Sequence, residues 1–229
     1  MKKITDKNGQ FNNAEFGAES KFGTYSEFGA ESEFGAESKF GAGSEFGAES
    51  KFGAYSKFGA ESEFDAYSKF GAGSEFGAYS KFGAESEFGA ESKFGAYSEF
   101  DAESKFGECS KFGDNSKFDH GSEFDAYAEF GAYSKFGAES EFDAESEFGA
   151  YSKFGAGCSY RGFVFEKFML SANIDGSGRQ IKIFSAGKAV MVEAGCFWGT
   201  AEEFCNKAKN EGKDTYSNVV GAIAKAIVK

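Results

Sequence analysis

The chain has 229 residues, of which 31 are Phe and none is Pro, and its formal net charge is −12. Residues 16–159 carry 12 lysines and 28 acidic residues, a net charge of −16, so the negative charge belongs to this part of the chain. Such an acidic segment argues against direct nucleic-acid binding, which needs lysine and arginine to replace the counterions of the phosphates.

The N-terminus, the hydropathy and the cysteines indicate the setting of the protein. No apolar stretch follows the two N-terminal lysines, and no apolar run approaches the length of a membrane span. Cys109, Cys158, Cys196 and Cys205 show no paired spacing typical of a zinc site. We therefore expect a protein of the cytoplasm with free thiols, no metal, no cofactor and no membrane contact.

A phenylalanine recurs every six residues from Phe16 to Phe154, giving 24 repeats without an insertion. The unit is Phe, then Gly or Asp, then usually Ala, then Glu, Tyr or Gly, then Ser, then Lys or Glu. On an α-helix, successive phenylalanines would advance by about 600° and scatter around the axis. On a strand, Phe and the Ser two residues before it point to one side, and the Lys or Glu between them points to the other.

The remaining two residues of each unit, Ala and the residue after it, are left for a corner. A strand and a corner, repeated, predict a coil that buries its inner face only when coils stack. We expect phenylalanine columns inside the coils and lysine and glutamate rows outside, where neighbouring coils pair their charges. The inward serine needs a hydrogen-bond partner, and we expect the serine or a backbone group of the next coil.

This spacing of a large apolar residue, Gly or Asp, two variable residues and a small residue resembles the hexapeptide repeat of left-handed β-helix proteins. In that family three hexapeptides form one triangular coil, so the resemblance implies a left-handed solenoid of about eight coils. The chain departs from the family in using Phe where Ile, Leu or Val is usual, which implies a wider coil.

A three-sided coil places every eighteenth residue in the same column, and the tyrosines at the corner position give a check on that period. Five of eight fall on one third of the coil: Tyr25, Tyr79, Tyr97, Tyr133 and Tyr151. The other three are divided between the remaining corners: Tyr55, Tyr67 and Tyr127. Because Tyr is suited to interfaces, the five tyrosines are a candidate protein-contact strip, although chance accounts for the grouping equally well.

The composition changes after Tyr160, and residues 160–229 predict a small α/β C-terminal domain that caps the solenoid. We predict a strand or packing segment over 163–170, a turn over 175–178 and paired strands over 180–185 and 188–193. The capping-box pair Thr200 and Glu203 predicts a helix that ends near Gly212, and a second helix follows from Asp214 or Thr215.

The predicted organisation is therefore mainly β, with three parts. Residues 1–15 form an N-terminal cap segment, residues 16–159 a parallel β-helix and residues 160–229 the α/β domain. The tail sequences at 176–181, 193–197 and 199–200 resemble those of uncharacterised bacterial and bacteriophage proteins that join Phe-Gly-rich hexapeptide repeats to a short tail. That resemblance implies no activity.

Few residues suggest catalysis. Hexapeptide-repeat folds often belong to acyltransferases, which resemble this chain in their repeat and use a histidine base. The one histidine here, His120, falls at a corner, and we favour a surface role for it. The irregular residues Cys109, Asn115 and His120 fall on three corners of one coil, so their side chains should not converge in one molecule.

Two features of the C-terminal part have a functional and a structural interpretation. Cys196 near the predicted start of the first helix is a conceivable nucleophile, because a helix N-terminus can lower a thiol pKa. No His or Asn partner is apparent, so we favour burial of Cys196 and Cys205 as small apolar groups. Cys158 stands at an inward Ser position, and residues 176–178 lack the Lys of a phosphate loop and predict a turn.

These observations predict a non-catalytic structural or protein-interaction protein that presents a rigid acidic β-solenoid surface to a protein partner of unknown identity, with a homo-oligomer possible. An alternative is a phage-type inhibitor whose acidic surface mimics nucleic acid and blocks a host enzyme, in the host cytoplasm or the virion. A second alternative is a relative of the hexapeptide acyltransferases.

Overall fold

The computed structural model describes residues 14–149, 152–172 and 180–227. The chain divides into two compact units, residues 1–156 and residues 157–229. The first will be called the repeat unit and the second the C-terminal unit. Of the predicted N-terminal cap, residues 1–13 lie outside the described residues, and Glu15 belongs to the first strand of the repeat unit.

The repeat unit contains two-residue strands that each end on the phenylalanine of a repeat. They span only the charged residue and the Phe, so they are shorter than the four residues, from Ser to Gly or Asp, that the repeat predicts. The strands are β1 Glu15–Phe16, β2 Glu27–Phe28, β3 Glu33–Phe34, β4 Lys39–Phe40, β5 Glu45–Phe46, β6 Lys51–Phe52, β7 Lys57–Phe58, β8 Glu63–Phe64, β9 Lys69–Phe70, β10 Glu75–Phe76, β11 Lys81–Phe82, β12 Glu87–Phe88, β13 Lys93–Phe94, β14 Glu99–Phe100, β15 Lys105–Phe106, β16 Lys111–Phe112, β17 Lys117–Phe118, β18 Glu123–Phe124, β19 Glu129–Phe130, β20 Lys135–Phe136, β21 Glu141–Phe142, β22 Glu147–Phe148 and β23 Lys153–Phe154.

Each strand pairs in parallel with the strand three repeats away along the chain, which confirms the predicted solenoid with three faces and about eight coils. Face 1 has the order β1-β3-β6-β9-β12-β15-β18-β21, face 2 has β4-β7-β10-β13-β16-β19-β22, and face 3 has β2-β5-β8-β11-β14-β17-β20-β23. The register is 18 residues throughout, so Phe82 pairs with Phe64 below it and with Phe100 above it. Lys21 continues face 2 through a bridge to Lys39.

The core of the repeat unit is aromatic. Phe82 lies parallel to Phe64 and to Phe100, with ring centroids 5.1 and 4.8 Å apart. It meets Phe76 and Phe88, its neighbours along the chain, edge to face at 4.9 and 5.0 Å. Both arrangements are favourable for aromatic quadrupoles and contribute about 0.5–1.5 kcal/mol per pair beyond burial. The ring spacing follows from the strand separation of about 4.8 Å, which suits offset stacking.

The inward serines satisfy their hydroxyl groups within their own repeat. The Ser98 hydroxyl donates to the Gly95 carbonyl at 2.8 Å, and the Ser104 hydroxyl donates to the Asp101 carbonyl at 2.9 Å. The expected partner in the next coil is therefore wrong for these hydroxyls. The reason is that the corner brings the carbonyl three residues back within reach of the serine. Ser and carbonyl thus close each corner as a local turn.

The C-terminal unit begins with two short strands, β24 Ser159–Tyr160 and β25 Phe163–Val164, which pair antiparallel. A four-stranded antiparallel sheet follows in the order β26-β27-β28-β29. Its strands are β26 Phe168–Ala172, β27 Gln180–Ala186, β28 Ala189–Ala194 and β29 Phe197–Thr200. Helices α1 Ala201–Asn210 and α2 Asp214–Ile227 complete the unit.

Most elements predicted for the C-terminal unit are present. Thr200 caps α1, and both hydrogen bonds of its capping box with Glu203 are formed. The predicted pairing of the strands now called β27 and β28 is confirmed. Strand β29 was not predicted, because Phe197–Thr200 is too short to show a period. The predicted turn at 175–178 lies outside the described residues.

The core of the C-terminal unit is mostly aliphatic and lies between one face of the sheet and the two helices. Ile181, Ile183 and Val192 are fully buried from the strands, and Val220 is fully buried from α2. In the described residues, neither helix has the length and apolar character that crossing a membrane requires.

Candidate interaction surface

The corner residues of the repeat unit adopt a backbone conformation that is rare for their residue types. The residue before each inward Ser has a φ of about +60°, as at Tyr79 (+62°), Glu91 (+60°) and Tyr97 (+61°). Left-handed backbone costs a non-glycine residue about 1–2 kcal/mol, and Asn tolerates it better than most. Gly43, Gly73 and Asn115 at this position were a signal for it that the sequence analysis did not use.

The corner residues project outward and form three edges, each between two faces. Edge 1–2 follows face 1, edge 3–1 follows face 3, and the edge between faces 2 and 3 carries most of the tyrosines and will be called the tyrosine edge. The 18-residue register places Tyr25, Tyr79, Tyr97 and Tyr133 on the tyrosine edge, whereas Tyr151 lies outside the described residues. Tyr55 and Tyr127 lie on edge 1–2, and Tyr67 lies on edge 3–1.

The tyrosine rings are exposed, and those of Tyr25 and Tyr79 lie against the coil above them. Tyr79 stacks on Tyr97 with ring centroids 5.0 Å apart and planes at 4°. The Tyr25 ring lies against Gly43 of the next coil, where an added Cβ would come within 2.7 Å of the ring. The exposed fraction is 78% for Tyr25 and 47% for Tyr97. This surface therefore offers large apolar contact area with little conformational freedom left to lose on binding.

The negative charge of the repeat unit lies on its edges and not on its faces. The residues that precede the phenylalanines, which cover the three faces, comprise 12 lysines and 12 glutamates and are neutral in sum. The corner residues are acidic on two edges. Edge 3–1 carries eight acidic residues: Glu31, Glu49, Asp65, Glu85, Asp101, Glu103, Asp119 and Glu139. Edge 1–2 carries seven: Glu19, Glu37, Glu91, Glu108, Asp125, Asp143 and Glu145.

The tyrosine edge differs sharply, since its described residues include just two acidic side chains, Glu61 and Asp114. Crowding on the acidic edges has a local effect on titration. Partial burial, together with Asp143 in the next coil, raises the pKa of Asp125. On edge 3–1, the carboxylate of Glu85 accepts a hydrogen bond from the Tyr67 hydroxyl and raises the pKa of that tyrosine.

The faces pair their charges between coils, as the sequence predicted. Lys51 contacts Glu33 at 2.8 Å, and Lys81 contacts Glu63 at 2.8 Å, each pair 18 residues apart. At least half of each of these side chains is exposed, so solvent screens the pairs and they add little to stability. The ion pairs therefore keep the faces polar and protected from aggregation more than they hold the coils together.

The irregular corner residues do not form a site. Cys109 lies on edge 1–2, Asn115 on the tyrosine edge and His120 on edge 3–1, so the structure separates them as predicted. His120 is exposed, and its Nδ1 lies 3.6 Å from Asp119 Oδ1. Asp114 has a structural role, because its Oδ1 accepts a hydrogen bond from the Ala132 backbone in the next coil at 2.8 Å.

Cys196 does not lie at a helix N-terminus, so the reason for regarding it as a nucleophile is wrong, and so is its expected burial. Strand β29 separates Cys196 from α1, and the thiol is exposed in the turn between β28 and β29. It lines a cavity of about 210 Å³ together with Phe204, Lys207 and Tyr216. Cys205 is only partly buried, and its thiol donates to the Ser217 carbonyl at 3.3 Å.

The C-terminal unit also contains a buried charge pair that the sequence analysis missed. Lys182 Nζ lies 3.0 Å from Glu193 Oε1, and both side chains are more than 90% buried. Arg161 approaches Glu193 Oε2 at 3.6 Å and stacks over Trp198 at 4.2 Å. The available signal was a charge at an alternate position of each of two apolar strands, on the face opposite to Ile181 and Val192.

Neither a similarity to known proteins nor a metal site among the described residues indicates a function. Among the residues that the structure describes, no group of three or more His, Cys, Asp and Glu side chains is placed to hold a metal ion. No protein-family model, no curated protein and no solved structure matches the chain. The surface of the repeat unit is therefore the feature from which a function must be argued.

Proposed function

We propose that the protein is a non-catalytic interaction protein, and that the tyrosine edge of its repeat unit is the surface that contacts a protein partner. The observation that carries this proposal is the asymmetry of the three edges. Two edges carry eight and seven acidic residues, whereas the third carries ordered, exposed tyrosines and two acidic residues.

Protein interfaces have the composition of the tyrosine edge. Their central residues are enriched in Tyr and depleted in Asp and Glu relative to other surfaces. A repeating framework adds rigidity, because each corner is fixed by hydrogen bonds to the coils next to it. The Tyr79 amide, for example, donates to the Ala96 carbonyl at 3.0 Å. A rigid aromatic surface loses little entropy when a partner covers it.

The experiment compares matched pairs of tyrosine variants of the full chain as bait in cell lysate. Tyr79→Ser with Tyr97→Ser alters the tyrosine edge, and Tyr67→Ser with Tyr127→Ser removes the same groups from the other two edges. We expect a partner that the wild type and the second variant capture equally and the first loses at least tenfold. Equal capture by all three proteins, or the absence of both specific capture and self-association through Tyr79 and Tyr97, would refute the proposal.

A second candidate is mimicry of nucleic acid by the acidic edges, in line with the resemblance of the tail to bacteriophage proteins. It is favoured by the 15 acidic residues that the two edges present on eight successive coils. The test is competition with DNA for host nucleic-acid enzymes. Mimicry requires that Glu85→Gln with Glu103→Gln weakens inhibition, whereas Tyr79→Ser with Tyr97→Ser leaves it unchanged.

We also propose that the repeat belongs with the hexapeptide solenoids and is left-handed. The three-sided coil of 18 residues supports this assignment. An experimental map of the repeat unit at side-chain resolution tests it, and a right-handed coil would refute it.

A further inference from the structure

The faces on either side of the tyrosine edge carry columns of like charge. On face 2, Lys21, Lys39 and Lys57 stand directly above one another in successive coils. On face 3, Glu27, Glu45 and Glu63 occupy the same three coils. Like charges directly opposite each other on neighbouring strands repel, so these columns are unfavourable within one molecule.

The signs reverse toward the other end of the repeat unit. Face 3 there carries Lys117, Lys135 and Lys153 in register, and face 2 carries Glu129 and Glu147. Each of the two faces therefore has one positive end and one negative end, in opposite senses. In the intervening coils Glu75 and Lys93 of face 2 stand beside Lys81 and Glu99 of face 3.

Compared coil by coil, the two faces carry opposite charges in seven of eight coils. The exception is the coil with Lys111 and Lys117. Shifting one face by a single coil leaves opposite signs in three of seven coils in one direction and in five of seven in the other. Of these three registers, the unshifted one has the largest excess of opposite over like charges between face 2 of one copy and face 3 of another.

The pattern is also complementary when a second copy runs in the opposite direction. Reversing face 3 places every charge opposite the other sign, as for Glu27 with Lys153 and Glu45 with Lys135. When face 2 is compared in the same way with the reversed face 2 of a second copy, opposite charges meet in six of eight coils. For face 1 they meet in two of eight. Face 1, which does not border the tyrosine edge, lacks this property.

The other two edges do not combine charge complementarity with a neutral contact surface. The faces that flank edge 1–2 carry opposite charges in four of eight coils. The faces that flank edge 3–1 do so in six of seven, but the eight acidic residues of that edge would oppose those of a second copy. The tyrosine edge is therefore where two copies, each with a net charge of −12, meet the least repulsion.

We propose that two copies of this chain associate through their tyrosine edges, with all coils of the repeat units in register. Tyr79 and Tyr97 supply the contact, and the charge columns of the flanking faces set the register. A two-fold arrangement uses the same surface on both copies, which the sign pattern requires. This inference rests on the proposed function, because it identifies the partner at the tyrosine edge as a second copy.

The experiment is sedimentation equilibrium of the full chain over a wide concentration range. We expect a monomer–dimer equilibrium for the wild type and for Tyr67→Ser with Tyr127→Ser. Tyr79→Ser with Tyr97→Ser should weaken association at least tenfold. A wild type that stays monomeric, or a dimer that tolerates the Tyr79 and Tyr97 changes, would overturn the inference.

Charge variants test the register separately from the tyrosines. Changing Lys21, Lys39 and Lys57 to Glu should weaken association at least tenfold, because it places like charges opposite each other. The control changes Lys51, Lys69 and Lys105 of face 1 to Glu, which alters the net charge equally and should have a smaller effect. Equal effects of the two triple variants would overturn the role of the columns.

A swapped variant, with Glu27, Glu45 and Glu63 also changed to Lys, restores the wild-type net charge. It should regain association if the two copies run in the same direction and remain weak if they run in opposite directions. Both results support paired columns and assign the direction. A monomeric wild type that still captures another protein through Tyr79 and Tyr97 would refute the dimer and leave the proposed function intact.

Discussion

The two units of this chain place their charges in opposite ways. In the repeat unit the core is phenylalanine and every lysine of residues 14–149 and 152–156 lies on the outside, where Lys81 meets Glu63 in solvent. In the C-terminal unit the core is mostly aliphatic, and Lys182 and Glu193 are buried on the face of the sheet opposite to that core. A repeating unit spreads its stability over many equivalent sites, whereas the C-terminal unit depends on a few particular ones.

The largest expected effect is the loss of one ring from the middle of the phenylalanine core. Phe82→Ala removes two stacked contacts and four edge-to-face contacts and leaves a cavity. We expect a loss of about 3–5 kcal/mol in the free energy of unfolding. Denaturant unfolding followed by circular dichroism measures it, with Trp198 fluorescence reporting on the C-terminal unit.

Phe82→Leu is the matched control, because it keeps apolar volume and removes the ring. We expect it to cost less than half as much as Phe82→Ala. If Phe82→Ala unfolded with the wild-type midpoint, the ring stack would contribute nothing at this site. The phenylalanine core would then not be what stabilises the repeat unit.

The second effect concerns the buried pair of the C-terminal unit. Glu193→Gln leaves Lys182 buried without its counter-charge, which costs about 3–5 kcal/mol when one partner of such a pair is removed. Its surface counterpart, Glu63→Gln beside Lys81, should cost much less, because solvent screens this exposed pair. Trp198 fluorescence is the measurement for the first variant and circular dichroism for the second. Equal costs would contradict the contrast between the units.

A smaller effect is expected at the corners. Glu91→Asn replaces a residue with φ +60° by one that tolerates the left-handed region, and we expect stabilisation of up to about 1 kcal/mol. Glu91→Gln is the control, because it removes the same charge without changing the backbone preference. Asn115→Glu should have the opposite sign. Thermal unfolding of the three variants provides the test, and equal midpoints for Glu91→Asn and Glu91→Gln would contradict the backbone account.

The smallest effect is electrostatic. Because burial and Asp143 raise the pKa of Asp125, the folded chain holds this proton more tightly than the unfolded chain, and the group is destabilising at neutral pH. Asp125→Asn should therefore raise the unfolding midpoint at pH 7. The advantage should shrink as the pH falls through the carboxyl range, where Asp125 itself becomes neutral. An advantage that is independent of pH would exclude this cause.

The period of six made the solenoid, its three faces and its aromatic core predictable. The sequence also contained the grouping of the tyrosines, because an 18-residue column needs no knowledge of side-chain contacts. The different charge of the three edges follows from the same columns, but it was not predicted because the acidic residues were counted together and not by edge. The serine partner could not be obtained in this way, because it depends on how tightly the corner bends.

The C-terminal unit was predictable where local signals are strong, as at the Thr200 capping box. Strand β29 and the pairing of Lys182 with Glu193 depend on tertiary contacts, since neither a short apolar run nor a single charge in a strand has a local signature. Cys196 was misplaced for the same reason. Strand β29, which was not predicted, lies between Cys196 and the N-terminus of α1, so the thiol is not at the helix end.

The central claim is that residues 18 apart lie in one column, since this alone gathers the tyrosines on one edge. The most direct test is a distance measurement between spin labels at Lys81→Cys and Lys153→Cys on face 3, with the four native cysteines changed to Ser. Four coils at about 4.8 Å predict a narrow distribution near 19 Å between backbones. A broad distribution centred near about 45 Å, as expected for a flexible chain of this separation, would contradict the account.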